Sequence, residues 1–194
     1  MNWLSLDKNL FLFINGFAGN TPPLDFLVKL VVNEYFVPVT LTLVIVYIWF
    51  GRGKLNKGSR QVLPVAALSV GLVNLLIALS NQFIIRTRPF DELATNMLFY
   101  KPTDPSFPSN AAAVGFALAV SILLVNRKLG VYSLALTVFY GFSRVYVGVH
   151  FPSDVVVGAL IGIVSVLFVA NLRSLIKTLT AKIEDVQSRL DLEF

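Results

Sequence analysis

Five long apolar stretches constrain this chain more than any other feature of its sequence. They cover residues 26–50, 61–85, 111–125, 129–149 and 155–172. A helix needs about 20 apolar residues to cross a bilayer, with a range of about 17–25, so the third stretch is short and we expect it to include neighbouring residues. Hydrophobic residues make up 56% of the chain and charged residues only 14%. The sequence therefore predicts one all-α domain over residues 1–194, an integral membrane bundle of about five transmembrane helices.

The two ends of the chain are expected to lie outside the bilayer core. Residues 1–22 contain the pattern Leu4, Leu6, Leu10, Phe11, Phe13 and Ile14 but no basic start or cleavage site, so we predict an interfacial helix rather than a cleaved signal peptide. An ordinary helix packed on the bundle is the alternative. Residues 173–194 are predicted to form a cytoplasmic tail. The chain has no cysteine and one histidine, His150, which excludes disulfides and histidine-rich metal sites.

Basic residues between the apolar stretches predict the orientation. They are Arg52, Lys54, Lys57, Arg60, Arg127, Lys128, Arg173, Lys177, Lys182 and Arg189. Five spans place all of them on one side, and the positive-inside rule makes that side cytoplasmic. The net charge of +5 is then a topology signal, and nucleic-acid binding is not expected. The opposite side receives the N-terminus, the loop over residues 86–110 and the turn around His150.

Three polar clusters fall on this outer side. They cover residues 86–90, 105–110 and 143–154, and their main members are Arg86, Arg88 and Pro89, then Pro108, Ser109 and Asn110, then Ser143, Arg144, His150 and Asp154. Pro89 is expected to end the second span. A single charged residue at a span end more often snorkels to the headgroups than forms a site. That reading explains poorly why His150 and Asp154 lie four residues apart beside an arginine.

The chemistry of these clusters suits phosphoryl transfer. Arginines such as Arg88 and Arg144 bind phosphate oxygens through a planar fork of donors. A helix that begins at Ser109 and Asn110 would offer free amides to an anion. A neutral imidazole is a competent nucleophile when a carboxylate holds its other nitrogen, and Asp154 is the natural partner of His150.

The clusters resemble the three motifs of the type 2 phosphatidic acid phosphatase superfamily. The family pattern is Lys-x6-Arg-Pro, then Pro-Ser-x-His, then Ser-Arg-x5-His-x3-Asp. Arg88 and Pro89 match the first, Pro108 and Ser109 the second, and Ser143, Arg144, His150 and Asp154 the whole of the third. The resemblance implies that His150 attacks phosphorus to form a phosphohistidine while Asp154 orients it. Arg88, Arg144, Ser109 and the amide of Asn110 would hold the phosphate, with no metal or cofactor.

Two positions depart from the family pattern. The family lysine falls on Asn81, as in the bacterial undecaprenyl pyrophosphate phosphatases of the bacitracin-resistance type, which the chain resembles most. Asn81 and Arg88 would share a helix face, and Arg86 could supply the missing charge. The general-acid histidine falls on Ala111. Because such an acid typically contributes about 10²–10⁴-fold in rate, we predict that turnover by this chain is severely impaired. Either the chain is a natural inactive relative or the histidine was deliberately replaced by alanine, and the intact third motif favours the replacement.

The resemblance implies a lipid phosphatase of the bacterial inner membrane with its site facing the periplasm or exterior. Undecaprenyl pyrophosphate is the expected substrate, and phosphatidylglycerol phosphate and the 1-phosphate of lipid A are close alternatives. A non-catalytic lipid-binding or transport-related protein is a reading of a different class. A vanadate-dependent haloperoxidase is disfavoured, because those enzymes are soluble and larger. The sequence does not predict an oligomeric state.

Overall fold

The structure is a computed structural model that describes residues 3–50 and 59–172, together with residues 177, 178, 180–182 and 185. Across these residues the secondary structure is helical, which confirms the all-α fold class. The main helices are α1 (Trp3–Asn15), α2 (Pro22–Val31), α3 (Phe36–Phe50), α4 (Val62–Phe83), α5 (Pro89–Glu92), α6 (Asn110–Val125), α7 (Arg127–Tyr146) and α8 (Pro152–Asn171). Most of the predicted tail and the basic residues Arg52, Lys54, Lys57, Arg173 and Arg189 lie outside the described residues.

The first predicted span is not one helix. α2 and α3 are bent by 55° across a short break. Two features of the sequence account for the break. The side-chain oxygen of Asn33 accepts a hydrogen bond from the amide of Tyr35 at 2.9 Å, and such a bond competes with helical hydrogen bonding. Pro38 has no amide hydrogen to give to the carbonyl of Glu34. By length and composition α4 and α8 each qualify as a span, and the bent pair can count as a third. α6, with 16 residues, is shorter.

Pro89 does not end the second span, contrary to expectation. α4 already ends at Phe83, and Ile84 is extended. Pro89 instead opens the short helix α5, because a proline is tolerated in a first turn where its missing amide hydrogen has no helical partner. The chain between Asn81 and Arg88 is therefore not one continuous helix, and the prediction that these two residues share a helix face is wrong.

α6 lies at the centre of the bundle and touches α8 almost backbone to backbone. A β-carbon added at Gly158 would lie 2.4 Å from the carbonyl oxygen of Ser109, and one added at Gly162 would lie 2.3 Å from that of Ala113. The amide of Ser109 also donates to the carbonyl of Asp154 at 3.1 Å. Small residues allow this approach between membrane helices. The approach fixes the start of α6 beside the start of α8.

α1 packs on the bundle through an unusual stripe. Asp7, Phe11 and Asn15 recur every four residues and are buried, while the other faces of the helix carry the exposed side chains of Trp3, Leu4, Leu6, Leu10, Leu12 and Phe13. Asn15 donates to the carbonyl oxygen of Tyr146 at 2.8 Å. Packing on the bundle was the alternative to an interfacial position, and these contacts show the packing. The apolar outer face is also what an interfacial helix requires.

Candidate active site

The three polar clusters meet around one cavity of about 430 Å³. Its wall is formed by α3, α6 and α7, by the break between α2 and α3, by the segment before α6 and by the turn between α7 and α8. The residues are Glu34, Pro38, Arg88, Tyr100, Pro102, Thr103, Asp104, Asn110, Ala111, Val114, Tyr140, Arg144 and His150. Of the predicted site residues, Arg88, Asn110, Ala111, Arg144 and His150 therefore line the same space.

His150 is held in a tight turn between α7 and α8. Gly148 enters this turn with φ of 92°, a left-handed conformation that favours glycine. The amide of His150 then donates to the carbonyl of Arg144 at 3.3 Å. The ring atom Nδ1 lies 2.9 Å from the carbonyl oxygen of Ser106. Because a carbonyl only accepts hydrogen bonds, Nδ1 carries the hydrogen in the neutral ring and Nε2 keeps its lone pair.

Burial keeps His150 neutral. Only 3% of the residue is exposed, and this desolvation lowers its pKa below the ordinary histidine value. The nearby carboxylate of Asp154 acts in the opposite direction and raises the pKa, and the charges of Arg144 and Arg88 lower it further. At neutral pH the ring is therefore uncharged, with Nε2 3.5 Å from Nη1 of Arg88 on the cavity wall.

Asp154 acts on His150 mainly through Ser106. Its Oδ2 atom accepts the hydroxyl of Ser106 at 2.6 Å and the amide of Phe151 at 2.9 Å. The same oxygen lies 3.8 Å from Nδ1 of His150, beyond hydrogen-bonding distance. Ser106 thus bridges the two, because its carbonyl accepts from the ring while its hydroxyl donates to the carboxylate.

The two arginines of the cavity wall are each held by the backbone and paired with a carboxylate. Arg88 donates to the carbonyl of Val149 at 2.8 Å and to Oδ1 of Asp104 at 2.9 Å. Burial lowers the pKa of Arg88, and Asp104 opposes that shift.

Arg144 is held in a similar way at the break between α2 and α3. It donates to the carbonyl of Val32 at 3.0 Å and lies 3.3 Å from Oε1 of Glu34. Its buried Nε atom has no hydrogen-bond partner among the residues that the structure describes, so one donor of Arg144 is not used by these residues.

The start of α6 supplies the remaining predicted residues. Ser109 is the N-cap, and its hydroxyl accepts the amide of Ala112 at 3.4 Å. Ser109 itself is buried and does not form part of the cavity wall, whereas Asn110 and Ala111 do. At position 111 the cavity therefore meets a methyl group that cannot give a proton.

Arg86 and Asn81 do not line the cavity. Arg86 donates to Asp154 Oδ1 at 2.6 Å and to Asp7 Oδ2 at 2.7 Å, and its guanidinium stacks 4.0 Å above the ring of Phe151. This placement argues against Arg86 as a substitute phosphate ligand. The amide oxygen of Asn81 is buried and has no hydrogen-bond partner within the described part of the chain.

Several residues near the site were not predicted from the sequence. They are Asp7, Glu34, Asp104, Ser106, Tyr140 and Ser153. Asp7 carries a usable signal, because it is the acid of a mostly apolar helix and an acid that such a helix buries requires a polar partner. Ser106 lies inside the second cluster, but no spacing rule distinguishes its carbonyl from its neighbours.

A helical membrane bundle with a neutral buried histidine between two arginines defines a class of protein, the membrane phosphoryl-transfer proteins. The chain belongs to the PAP2 superfamily, whose family model matches residues 63–176. This confirms the resemblance to the type 2 phosphatidic acid phosphatases.

Named relatives are similar over most of the chain. A protein named bacitracin transport permease protein BcrC, from Bacillus licheniformis, is 30% identical over 98% of this chain and 93% of its own length. Undecaprenyl-diphosphatase BcrC of Bacillus subtilis is 31% identical over 82% of this chain and 80% of its own. The resemblance to the bacitracin-resistance group is thereby confirmed.

Solved structures agree with the fold. The crystal structure of Aquifex aeolicus LpxE has a TM-score of 0.69 and 26% identity, covering 84% of this chain and 93% of that one. A transmembrane PAP2-type phosphatidylglycerolphosphate phosphatase from Bacillus subtilis has a TM-score of 0.66 at 21% identity, covering 90% and 88%. The second likeness supports the fold alone. By this fold, and by its helices that are long and apolar enough to cross a membrane, the chain is an integral membrane bundle.

Proposed function

We propose that this scaffold removes a terminal phosphate from a polyprenyl pyrophosphate, with undecaprenyl pyrophosphate as the substrate, and that the present chain does so poorly because of Ala111. One observation carries the proposal: the Nε2 lone pair of His150 lies on the wall of a cavity that also holds Arg88 and Arg144, while Nδ1 is fixed by Ser106.

The proposed chemistry has two steps. Nε2 of His150 attacks the terminal phosphorus as the bond to the bridging oxygen breaks, and the departing lipid phosphate takes a proton from a general acid. Water then attacks the phosphohistidine, which releases inorganic phosphate and returns the electron pair to Nε2. Arg88, Arg144 and the amides at the start of α6 would stabilise the charge that develops on the phosphoryl oxygens.

Ala111 removes the proton donor from the first step. A methyl group occupies the cavity wall at the place where the family pattern has a histidine. We expect turnover to fall by about 10²–10⁴-fold relative to a chain with the acid. The groups proposed to hold the phosphate are Arg88, Arg144 and the amides at the start of α6, and none of them is residue 111's side chain. Binding of the phosphate is therefore expected to persist.

The substrate choice rests on the relatives. Three proteins that are similar over most of this chain carry undecaprenyl-diphosphatase in their names, one of them as putative, and Asn81 replaces the family lysine as expected for that group. Phosphatidylglycerol phosphate and lipid A 1-phosphate are the alternatives. We place the chain in a bacterial inner membrane, with the cavity facing the periplasm or exterior, because the basic loops predict the opposite side to be cytoplasmic.

The test is phosphate release from a panel of lipid phosphates and pyrophosphates, with chelator present, by the chain as given and by Ala111→His. Ala111→Gln is the matched control, because it restores a polar side chain of similar bulk without an acidic proton at neutral pH. We expect release only with Ala111→His, fastest on undecaprenyl pyrophosphate. Loss of that release on a further His150→Ala substitution would tie it to the proposed nucleophile.

A second candidate function is non-catalytic binding of a lipid phosphate. The observation that favours it is the methyl group of Ala111 in a cavity that otherwise keeps its arginines, and one similar relative is named as a transport permease protein. This function predicts that the lipid binds equally well with and without Ala111→His, while neither protein releases phosphate.

A further inference from the structure

The guanidinium of Arg86 lies between two carboxylates that are 147 residues apart in the sequence. Nη1 lies 2.6 Å from Oδ1 of Asp154, and Nη2 lies 2.7 Å from Oδ2 of Asp7. The Asp154 side chain has no exposed surface, and those of Asp7 and Arg86 are only 6% and 16% exposed. Asp7 lies on α1, outside residues 63–176 that match the family model.

We propose that Asp7 is a positioning residue for the reaction, which acts from α1 through Arg86 to hold the carboxylate of Asp154 in the orientation that His150 requires. The inference rests on the proposed function, since it needs His150 to be the nucleophile. It assigns to the N-terminal helix a task inside the site.

Asp7 completes the hydrogen bonds of the buried guanidinium, because its Oδ2 accepts from Nη2 of Arg86. A buried guanidinium that meets only part of its donor set is costly. With Asp7 in place, Arg86 is fixed from both sides: it spans Asp7 and Asp154, and its face rests on the ring of Phe151 at 4.0 Å. Without the Asp7 charge, Nη1 of Arg86 keeps Asp154 and the Ser153 hydroxyl, which accepts at 2.7 Å, but Nη2 loses its ionic contact and the guanidinium is held from one side.

Asp7 also completes the start of α8. The N-cap of this helix is Phe151, whose side chain cannot accept a hydrogen bond. Oδ1 of Asp7 accepts the amide of Ser153 at 2.9 Å, and Oδ2 accepts the Ser153 hydroxyl at 2.6 Å. A carboxylate at a helix start is favoured by the free amides and the dipole. α1 thus supplies the capping oxygen that α8 lacks, one residue before Asp154.

A continuous path of short contacts then leads to the nucleophile. Asp7 binds Arg86, Arg86 binds Asp154, Asp154 binds the Ser106 hydroxyl at 2.6 Å, and the Ser106 carbonyl binds Nδ1 of His150 at 2.9 Å. Each contact in the path helps to orient the next group. A displacement of Arg86 is therefore expected to change the orientation of the His150 ring. Misplacement by about 1 Å of a reacting group can cost about 10²-fold in rate.

Docking of α1 does not depend on Asp7 alone. Lys8 forms a more exposed ion pair with Glu92 at 2.6 Å, and Asn15 binds the backbone of Asn96 at 3.0 Å. Lys8→Gln therefore removes a neighbouring ion pair of the same helix and leaves the contacts of Asp154 in place. It is the matched control for Asp7→Asn.

The experiment compares kcat and KM for phosphate release from undecaprenyl pyrophosphate, all in the Ala111→His chain. We expect Asp7→Asn to lower kcat by about 10- to 100-fold with KM nearly unchanged, Asp7→Glu to recover part of it, and Lys8→Gln to leave both constants unchanged. Unfolding temperatures of all three variants are measured alongside.

The outcomes separate the two proposals. If Ala111→His itself releases no phosphate, the proposed function fails before Asp7 is tested. If it is active and Asp7→Asn keeps its kcat, or if Lys8→Gln lowers kcat equally, the positioning role is overturned. If Asp7→Asn raises KM and lowers the unfolding temperature while kcat is kept, Asp7 only holds the fold together, which also overturns it.

Discussion

The carbonyl oxygen of Ser106 lies 2.9 Å from Nδ1 of His150, and this one contact decides which ring nitrogen is left to react. The family resemblance assigns the orienting task to Asp154, but that carboxylate reaches the ring only at 3.8 Å. The backbone carbonyl of Ser106 therefore selects the tautomer of His150. Asp154 acts indirectly, because it accepts a hydrogen bond from the hydroxyl of the same serine.

Ser106→Ala separates these two tasks. The substitution keeps the carbonyl but removes the hydroxyl that donates to Asp154, which leaves a buried carboxylate short of one donor. We expect a loss of about 1–3 kcal/mol in the free energy of unfolding with measurable phosphate release retained in the Ala111→His chain. Thermal unfolding and release assays check this. Ser121→Ala, which removes a buried hydroxyl bonded only within α6, should change neither activity nor the site.

The pH dependence follows from the buried state of His150. Attack needs the neutral ring, and burial lowers its pKa, so protonation sets in only at a lower pH than for an exposed histidine, about 6.5. For Ala111→His we therefore expect the acid limb of kcat/KM to lie below pH 6.5. A rate profile on a soluble short-chain pyrophosphate measures it, and an acid limb above pH 7 would contradict a neutral buried nucleophile.

Glu34 is expected to compete with the substrate for Arg144. Its carboxylate lies 3.3 Å from the guanidinium, with 39% of its side chain exposed. Solvated pairs of this kind are worth about 0.2–1 kcal/mol, so Glu34→Gln should tighten the binding of vanadate or phosphate by up to about 5-fold. Isothermal titration with the chain as given checks this.

Asp91→Asn is the matched control for Glu34→Gln. Asp91 is exposed at the short helix α5 and is not part of the cavity wall. The substitution removes one surface charge of the same sign, so it tests whether net charge alone alters anion affinity. Equal tightening by both substitutions would show that the contact with Arg144 has no special part in binding.

Gly148 is the glycine whose replacement should harm the site most directly. Its φ of 92° strains any side chain, at roughly 1–2 kcal/mol, and a β-carbon would lie 2.9 Å from Sδ of Met97. Gly148→Ala should therefore lower the unfolding temperature. Gly71→Ala, within α4 and with no atom within 4 Å of the added carbon, should leave that temperature equal or higher. A reversed order in thermal scans would contradict the assigned turn geometry.

The sequence predicted the helical membrane class because hydrophobic length is a property of each segment alone. It failed at the first span, where the short-range polar bond of Asn33 and the missing amide hydrogen of Pro38 outweigh apolar composition. Pro89 also predicts the wrong end for the second span, because α4 ends at Phe83, six residues before the proline.

The cavity residues Arg88, Arg144 and His150 could be chosen from spacing, since each lies within a dense local cluster. The task of Arg86 could not, because its partner Asp7 lies on a helix distant in sequence and only the tertiary fold brings them together. The same holds for Glu34, which enters the cavity because α2 and α3 are bent. Long-range polar partnerships of this kind leave little trace in a single sequence.

The contact of α6 with α8 through Gly158 and Gly162 has a mechanical consequence. No layer of side chains separates the two backbones at these positions, so neither helix can slide or tilt against the other without a steric collision. The amides at Asn110 and the carboxylate of Asp154 therefore belong to one stiff frame of fixed dimensions. Any widening of the cavity to admit a bulky headgroup is therefore expected from other parts of its wall, such as the break between α2 and α3 that carries Glu34.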